Sequence, residues 1–361
     1  MKTVAIRSMI KRGFSSRKRW LPSRTGILAI ILGILVAVRP AIGCDTCGCY
    51  VPTDTSRPLY SAGWFAGIGE QFTYFGRDQF NSQPAPNPTG QYLASSISQI
   101  IAGYRFTDRF SVQFSLPIIY RQYLRPEGFA VQRGTVAGLG DIPVVGNFTL
   151  YRTPLVPVCA KAAKSCPAFS STDPADLPFF ATVNLIGGIK FPTGSPSRIK
   201  EEFNESEVSG APPSGIHGHD LALGSGSFDG IVGLAAYLRC RSFFFEANAQ
   251  YAIRSTGAYD YRYANALSYS GGPGFLLLNR APTRVGLQCA CSGESKGRDH
   301  FRGEVQADTG INAVYLGPRV VVSHRDRILA DLGIDIPVSI RNTALQTVPS
   351  YRLRAGFVVR F

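Results

Sequence analysis

The sequence is poor in the groups that most often carry catalysis. It has only four histidines, His217, His219, His300 and His324, and none stands in a G-x-S-x-G, H-E-x-x-H or comparable setting. No histidine follows Cys47 in a C-x-x-C-H arrangement, which excludes covalent haem there. The run Gly271-Gly272-Pro273-Gly274 opens no helical pattern, so it is no phosphate cradle. Beyond residue 43 no apolar run approaches the roughly 20 residues that a membrane-spanning helix needs. The chain is expected to be no enzyme and to carry no cofactor.

Acidic residues are also missing from one place, residues 1 to 43, which hold nine Lys or Arg. Gly26 to Val38 is an unbroken apolar run, and Ala41-Ile42-Gly43 supplies small residues before Cys44. A basic region, a short apolar core and a small-residue site make a secretory signal peptide, assigned to residues 1–43. An uncleaved anchor is the alternative, kept alive by Arg39 and Pro40, and Ala-Ile-Gly-Cys is a loose lipobox that leaves lipid attachment at Cys44 open. Removing the nine cationic residues lowers the net charge from +14 to +5. The basic character is thus mainly targeting chemistry, and no nucleic-acid partner is expected.

What the mature chain has is a two-residue period. From Tyr351 to Phe361, the residues Tyr351, Leu353, Ala355, Phe357, Val359 and Phe361 share one face of an extended strand. Arg352, Arg354 and Arg360 share the other. The pattern returns over 109–123, 242–254 and 328–341, in runs about twice the length of an ordinary globular strand. A soluble sandwich would bury the apolar face. A membrane barrel would turn it to lipid and the polar face to a wet lumen, and strand length favours the barrel. The fold class is therefore all-β, a single transmembrane antiparallel barrel over 59–361, after the signal peptide and a Cys-rich periplasmic segment, 44–58.

About twelve strands are expected, near 61–76, 91–106, 109–123, 140–152, 178–191, 226–239, 242–254, 260–278, 283–292, 309–324, 328–341 and 350–361. Tight turns alternate with long polar loops at 77–90, 124–139, 192–225 and 293–308, the alternation of periplasmic turns and external loops. The connection 153–177 breaks the rule, being long, Pro-rich and on the short-turn side. Expected partners are outer-membrane lipid, the barrel-assembly machinery, for which terminal Phe361 is the candidate signal, and a small-molecule solute. The sequence leaves the oligomeric state open.

Three glycine-rich motifs follow in order: Gly138-Leu139-Gly140-Asp141, then Lys190-Phe191-Pro192-Thr193-Gly194, then Leu223-Gly224-Ser225-Gly226-Ser227-Phe228-Asp229. In this order the chain resembles the outer-membrane transporters grouped as the MetA-pathway phenol-degradation family. The resemblance spans about 60 to 361 and implies a barrel that moves hydrophobic or aromatic compounds across the outer membrane. The Cys-rich start departs from the family pattern. From the residues alone, Asp141 and Asp229 read as caps at loop-to-strand junctions, with a polar ring at the external mouth as the functional alternative.

The period assigns Arg105, Arg121, Glu246, Arg254, Asp331, Asp335, Arg341, Arg352, Arg354 and Arg360 to the lumen, seven basic against three acidic. Mild anion selectivity and passage of aromatic acids follow, with Arg–Asp pairing across the lumen as the competing account. Cys44, Cys47 and Cys49 have spacing suited to a soft metal, but an oxidising periplasm favours disulfides over metal, with Cys159 and Cys166, which close a short loop, as the expected pair. An alternative function is a docking barrel whose cysteine elements bind a metal or redox partner. His217, His219 and Asp220 offer a weaker metal candidate, against which stands a simple solvated external loop.

Overall fold

The computed structural model describes residues 62–153, 179–204, 208–325 and 327–361. The signal peptide, the 44–58 segment, and Cys44, Cys47, Cys49, Cys159 and Cys166 all lie outside the described residues. Twelve strands close a barrel. They are β1 Gly63–Phe80, β2 Tyr92–Arg105, β3 Phe110–Glu127, β4 Ile142–Arg152, β5 Phe179–Phe191, β6 Asp229–Cys240, β7 Phe243–Ile253, β8 Ala266–Arg280, β9 Thr283–Lys296, β10 Ile311–His324, β11 Ile328–Asn342 and β12 Leu345–Arg360. Each pairs antiparallel with its sequence neighbours, and β12 returns to β1, with Phe65 opposite Arg360 and Tyr74 opposite Tyr351. Pairing of β12 with β1 closes the sheet on itself, the condition for crossing a bilayer with strands.

The alternation puts bulky apolar side chains outside. Phe114, Ile118, Leu185, Leu234, Phe245, Leu332 and Phe357 are all exposed. Aromatics band the two ends of this surface. Trp64, Tyr104, Phe106 and Phe110 follow one another with ring centroids 4.9 to 5.8 Å apart at the end bearing Gly63 and Phe361. Tyr92, Tyr74 and Tyr351 stack at 6.0 and 5.7 Å toward the other. Two girdles around an apolar belt mark the outer-membrane type of barrel. The tight turns lie at the Gly63 end, which in such barrels is the periplasmic end, and the long loops lie at the external end.

Several expected strands run past their sequence limits, while the one expected over 260–278 begins only at Ala266. The presumed loop 124–139 is largely strand: Ala130–Leu139 pairs with Ile118–Glu127 of β3, while Val144–Phe148 of β4 pairs with Phe110–Phe114. The two segments form one long strand broken at Gly140-Asp141. β9 likewise runs to Lys296, and Tyr261–Arg262, His300–Phe301 and Glu304–Val305 make a separate three-stranded sheet among the external loops. Polar strand ends outside the bilayer carry no apolar face, so the period fades where the strand continues.

Inside, aromatic rings fill space over glycines. Phe65 lies across Gly103 and Phe244 across Gly274, positions where a Cβ would collide with the ring. Phe180, Tyr237, Phe244 and Leu276 form one buried cluster on this inner wall. Most other inward positions are polar, including Gln99, Gln113, Ser115, Asn147, Thr182, Asn184, Asn248, Gln250 and Gln288, all buried from bulk solvent.

Candidate functional site

The external mouth is occupied by the chain itself. The loop 192–225, expected to be solvated, folds into the lumen through a 3-10 turn at Ser197–Phe203 and a helical turn at Gly218–Leu221. Ile216 and Leu221 pack against Phe75, Leu93 and Tyr123 of the inner wall, and Leu223 against Ile97 and Ile119. A polar loop can enter because the wall meets its backbone. Arg121, fully buried, donates from Nη1 to the carbonyls of Asp220 at 2.8 Å and Ala222 at 2.6 Å. Arg125 pairs with Glu201 at 2.6 Å, Gln91 accepts from the amide of Gly215, and Gly215 accepts from that of Thr347. Buried backbone groups need such partners.

The three sequence motifs converge at the root of this loop. Lys190 Nζ lies 2.5 Å from Asp141 and 2.8 Å from Asp229, and Arg254 reaches Asp229 at 2.5 Å. Asp141 also accepts from the amides of Gly194 and Ser225 and from the Ser225 hydroxyl. Thr193 bridges the strand break, donating to the carbonyl of Gly140 while its hydroxyl oxygen accepts from the amide of Ile142. Gly194 and Gly224 pack backbone to backbone, and a Cβ on Gly194 would sit 2.9 Å from both Gly140 and Gly224. The motifs therefore build a buried, charge-paired strut. Asp141 and Asp229 do cap free amides, as expected, and they also take the two strut cations.

Toward the periplasm the lumen opens into a cavity of about 150 Å³. Phe65, Ile97 and Ile101 give it an apolar side; Gln99, Gln113, Glu246, Arg319, Asp331 and Arg354 give it a polar one. Arg319 approaches Asp331 at 3.5 Å, Arg354 meets Asp335 at 2.6 Å, and Arg352 meets Glu294 at 3.1 Å while lying 4.1 Å from the Tyr315 ring centre. Below the cavity Arg105, Arg239, Arg284 and Arg360, all buried, point inward at the periplasmic end.

Most sequence-assigned lumen residues thus fall on the inner wall, but Arg341 does not. A β-bulge between β10 and β11 breaks the register at Val314/Tyr315, so Ile340 rather than Arg341 faces inward opposite Ala313, and Arg341 is exposed. One inserted residue exchanges the faces. The lumen charges that the sequence analysis does not assign include Lys190, which stands in a motif, Glu294, which lies beyond the expected strand end at 292, Arg239 and Arg284, each beside a turn, and Arg319 of β10. Alternation carried through the full strand finds the last four.

His217, His219 and Asp220 lie within the mouth, not in solvent. His219 is 4 % exposed, its Nδ1 3.0 Å from Glu202, its Nε2 3.5 Å from Asp220, and its ring stacked on those of His217 and Tyr261. His217 Nε2 lies 3.0 Å from Asp308. Burial alone would lower the His219 pKa, but the carboxylates of Asp220 and Glu202 outweigh it and hold the pKa well above 6.5. His219 with Glu202 and Asp220 forms an ion-paired contact within a docked loop, and His217 bridges to Asp308. Among the described residues no group of three or more His, Cys, Asp or Glu is arranged to hold a metal.

No family model matches the chain, and no curated protein matches it. Among solved structures, an outer membrane channel from Pseudomonas putida F1 aligns with a TM-score of 0.58 at 14% identity, over 86% of this chain and all of that one. The β domain of the Bordetella autotransporter BrkA aligns at 0.40 and 10% identity, over 83% of this chain and 100% of its own. The NalP translocator domain of Neisseria meningitidis aligns at 0.36 and 9%, over 93% and 97%. The first likeness agrees with the geometry on an outer-membrane β-barrel fold.

Proposed function

We propose that the protein is an outer-membrane channel for passive diffusion of small solutes that combine an apolar body with a polar or anionic head. The observation that carries this reading is the lumen cavity, which sets Phe65, Ile97 and Ile101 against a polar wall. At about 150 Å³ it matches a cavity known to accept one benzene ring. The resemblance in the three motifs points to hydrophobic or aromatic cargo. The polar lining of the rest of the lumen favours the charged forms of such compounds over hydrocarbons.

Arg105, Arg239, Arg284 and Arg360 at the periplasmic end support an anion preference, because charge on a narrow low-dielectric wall focuses potential along the pore. Pairing of Arg254, Arg352 and Arg354 with Asp229, Glu294 and Asp335 removes part of the basic excess counted from sequence, so the preference is mild. Reconstitution in planar bilayers under a KCl gradient tests both claims. A reversal potential of anion-selective sign, and swelling of protein-containing liposomes in benzoate, are expected. Cation preference, or a barrel that passes nothing after the 192–225 loop is removed, would overturn the reading.

A further inference from the structure

The channel reading leaves the docked loop without a means of release, and the groups around His219 supply one. They come from every element packed there. Glu202 belongs to the 3-10 turn, while His217 and Asp220 flank the ring in its own segment. Asp308 comes from the segment before β10, and Lys296 from the end of β9. Asp299 holds Lys296 at 2.6 Å and accepts from the Tyr261 hydroxyl at 2.7 Å. Tyr263 donates to the His219 carbonyl, and Arg121 reaches the Asp220 carbonyl from the wall. Nearby Arg125 and Arg198 are both taken up by Glu201.

Four carboxylates, Glu202, Asp220, Asp299 and Asp308, therefore face Lys296, Arg121 and two imidazoles. With Glu201, Arg125 and Arg198 added, five carboxylates stand against four Lys and Arg side chains, and one protonated ring, that of His219, completes the balance. Loss of its proton would leave a surplus carboxylate in a confined site, where like charges repel most strongly. A cavity of about 30 Å³ bordered by His219, Asp220, Lys296 and Asp308 has room for water, which gives protons a route. The strut at the root of the loop has a different chemistry, built from Lys190, Arg254 and carboxylates, and contains no imidazole.

We propose that the His219–Glu202–Asp220 cluster, backed by His217–Asp308, is a proton-dependent latch that holds the loop tip in the lumen and releases it on the alkaline side of neutrality. The sign follows from linkage. Docking raises the affinity of His219 for its proton, so the stabilisation is complete below the ordinary imidazole value of 6.5. It is lost as pH climbs through the higher value of the docked state. The strut keeps the root anchored throughout.

The test measures loop release directly, apart from conductance, so a failed latch is distinguishable from a failed channel. Full-length protein carrying Ile216→Cys, a buried position, is labelled with an impermeant maleimide between pH 6 and pH 10. Peptide-resolved mass spectrometry reads the rate, normalised to exposed Ser209→Cys. Between the ordinary imidazole value of 6.5 and the docked transition the normalised rate should rise about tenfold per pH unit, the slope of a one-proton equilibrium, and level off above it. His219→Gln should label fast at every pH. Glu202→Gln, which removes one partner and keeps the imidazole, should move the transition to lower pH. A flat normalised profile in the parent, or an unmoved transition in folded, heat-modifiable Glu202→Gln protein, would overturn the latch.

Discussion

The two halves of the lumen are built to opposite ends from the same strands. In the external half, wall cations are engaged by the chain's own loop: Arg121 and Arg125 hold it by carbonyl and carboxylate, and Lys190 and Arg254 fix its root. In the periplasmic half, polar side chains surround a cavity, and guanidinium groups gather at its exit. The difference lies in what each half does with buried charge. The external half spends it on holding a loop in place, whereas the periplasmic half leaves a polar surface for something else to pass. A channel reading needs the second half to set selectivity and the first to set access, and substitutions can separate the two.

The sharpest break in that contrast is Lys190→Met. It removes the cation shared by Asp141 and Asp229 and strands at least one carboxylate in a site where both are nearly inaccessible. Breaking a buried pair on one side costs about 3–5 kcal/mol. The expected outcome is a large drop in the unfolding midpoint, read by heat modifiability on gels, with the loop root detached. Unchanged heat modifiability would show that the motifs serve something other than the strut.

Arg121→Met attacks the loop from the wall and spares its root. Two buried carbonyls, of Asp220 and Ala222, lose their donor, at about 1–3 kcal/mol for each group left unsatisfied. The barrel wall, held by closed strand pairing, should stay intact, and the destabilisation should appear as a higher open probability in bilayers. Barrel unfolding without any gain in conductance would mean that the external half is part of the barrel core and no gate.

Much of the barrel was legible in the sequence because a bilayer enforces the two-residue period. Wherever one face meets lipid, a polar residue on it is costly, so Phe110 to Tyr120 or Phe243 to Ile253 announce both the strand and its orientation. The same rule explains Cys289 and Cys291, which share the outward face of β9 as their spacing requires. The failures occur where lipid no longer dictates the pattern. Strand ends above the membrane, such as Ala130–Leu139, have no enforced face. The bulge that turns Arg341 outward costs only one residue of register. The inward fold of 192–225 depends on Arg121 and Arg125 finding carbonyls and a carboxylate about 75 to 100 residues away, which no local pattern encodes.

Glu70 shows that even the lipid-facing rule has a local exception. It lies on the outward face of β1 between Trp64 and Tyr74, and both carboxylate oxygens accept hydroxyls from Ser96 and Ser98 of β2, the Ser96 bond at 2.6 Å. A polar group in the apolar belt is tolerable when neighbours on the same face satisfy it.

Phe361→Ala tests the periplasmic rim. The side chain is 74 % exposed beside the lower aromatic girdle, and its amide donates to the Trp64 carbonyl. The backbone bond survives the substitution, so the folded barrel should change little. The expected loss is in assembled, heat-modifiable protein in the outer membrane, with the secreted amount unchanged. Normal assembly would remove Phe361 as a signal and leave it an interfacial anchor.

The smallest effect belongs to the exit. Arg239 and Arg284 face inward near the periplasmic end, on β6 and β9, and neither takes part in the strut or the loop contacts. Replacing each with Gln keeps a polar side chain and removes its charge. Both sites lie near the periplasmic end of the lumen, where mobile ions within a Debye length of about 8 Å screen much of the field at physiological salt. The reversal potential should therefore shift toward zero by a small amount, larger at low KCl than at high, with single-channel conductance and loop labelling unaltered. The salt dependence is the discriminating part. A shift of equal size at every ionic strength would indicate a change in pore shape, and a shift toward stronger anion preference would mean that these arginines are compensated in place, leaving selectivity to the cavity pairs Arg319–Asp331 and Arg354–Asp335.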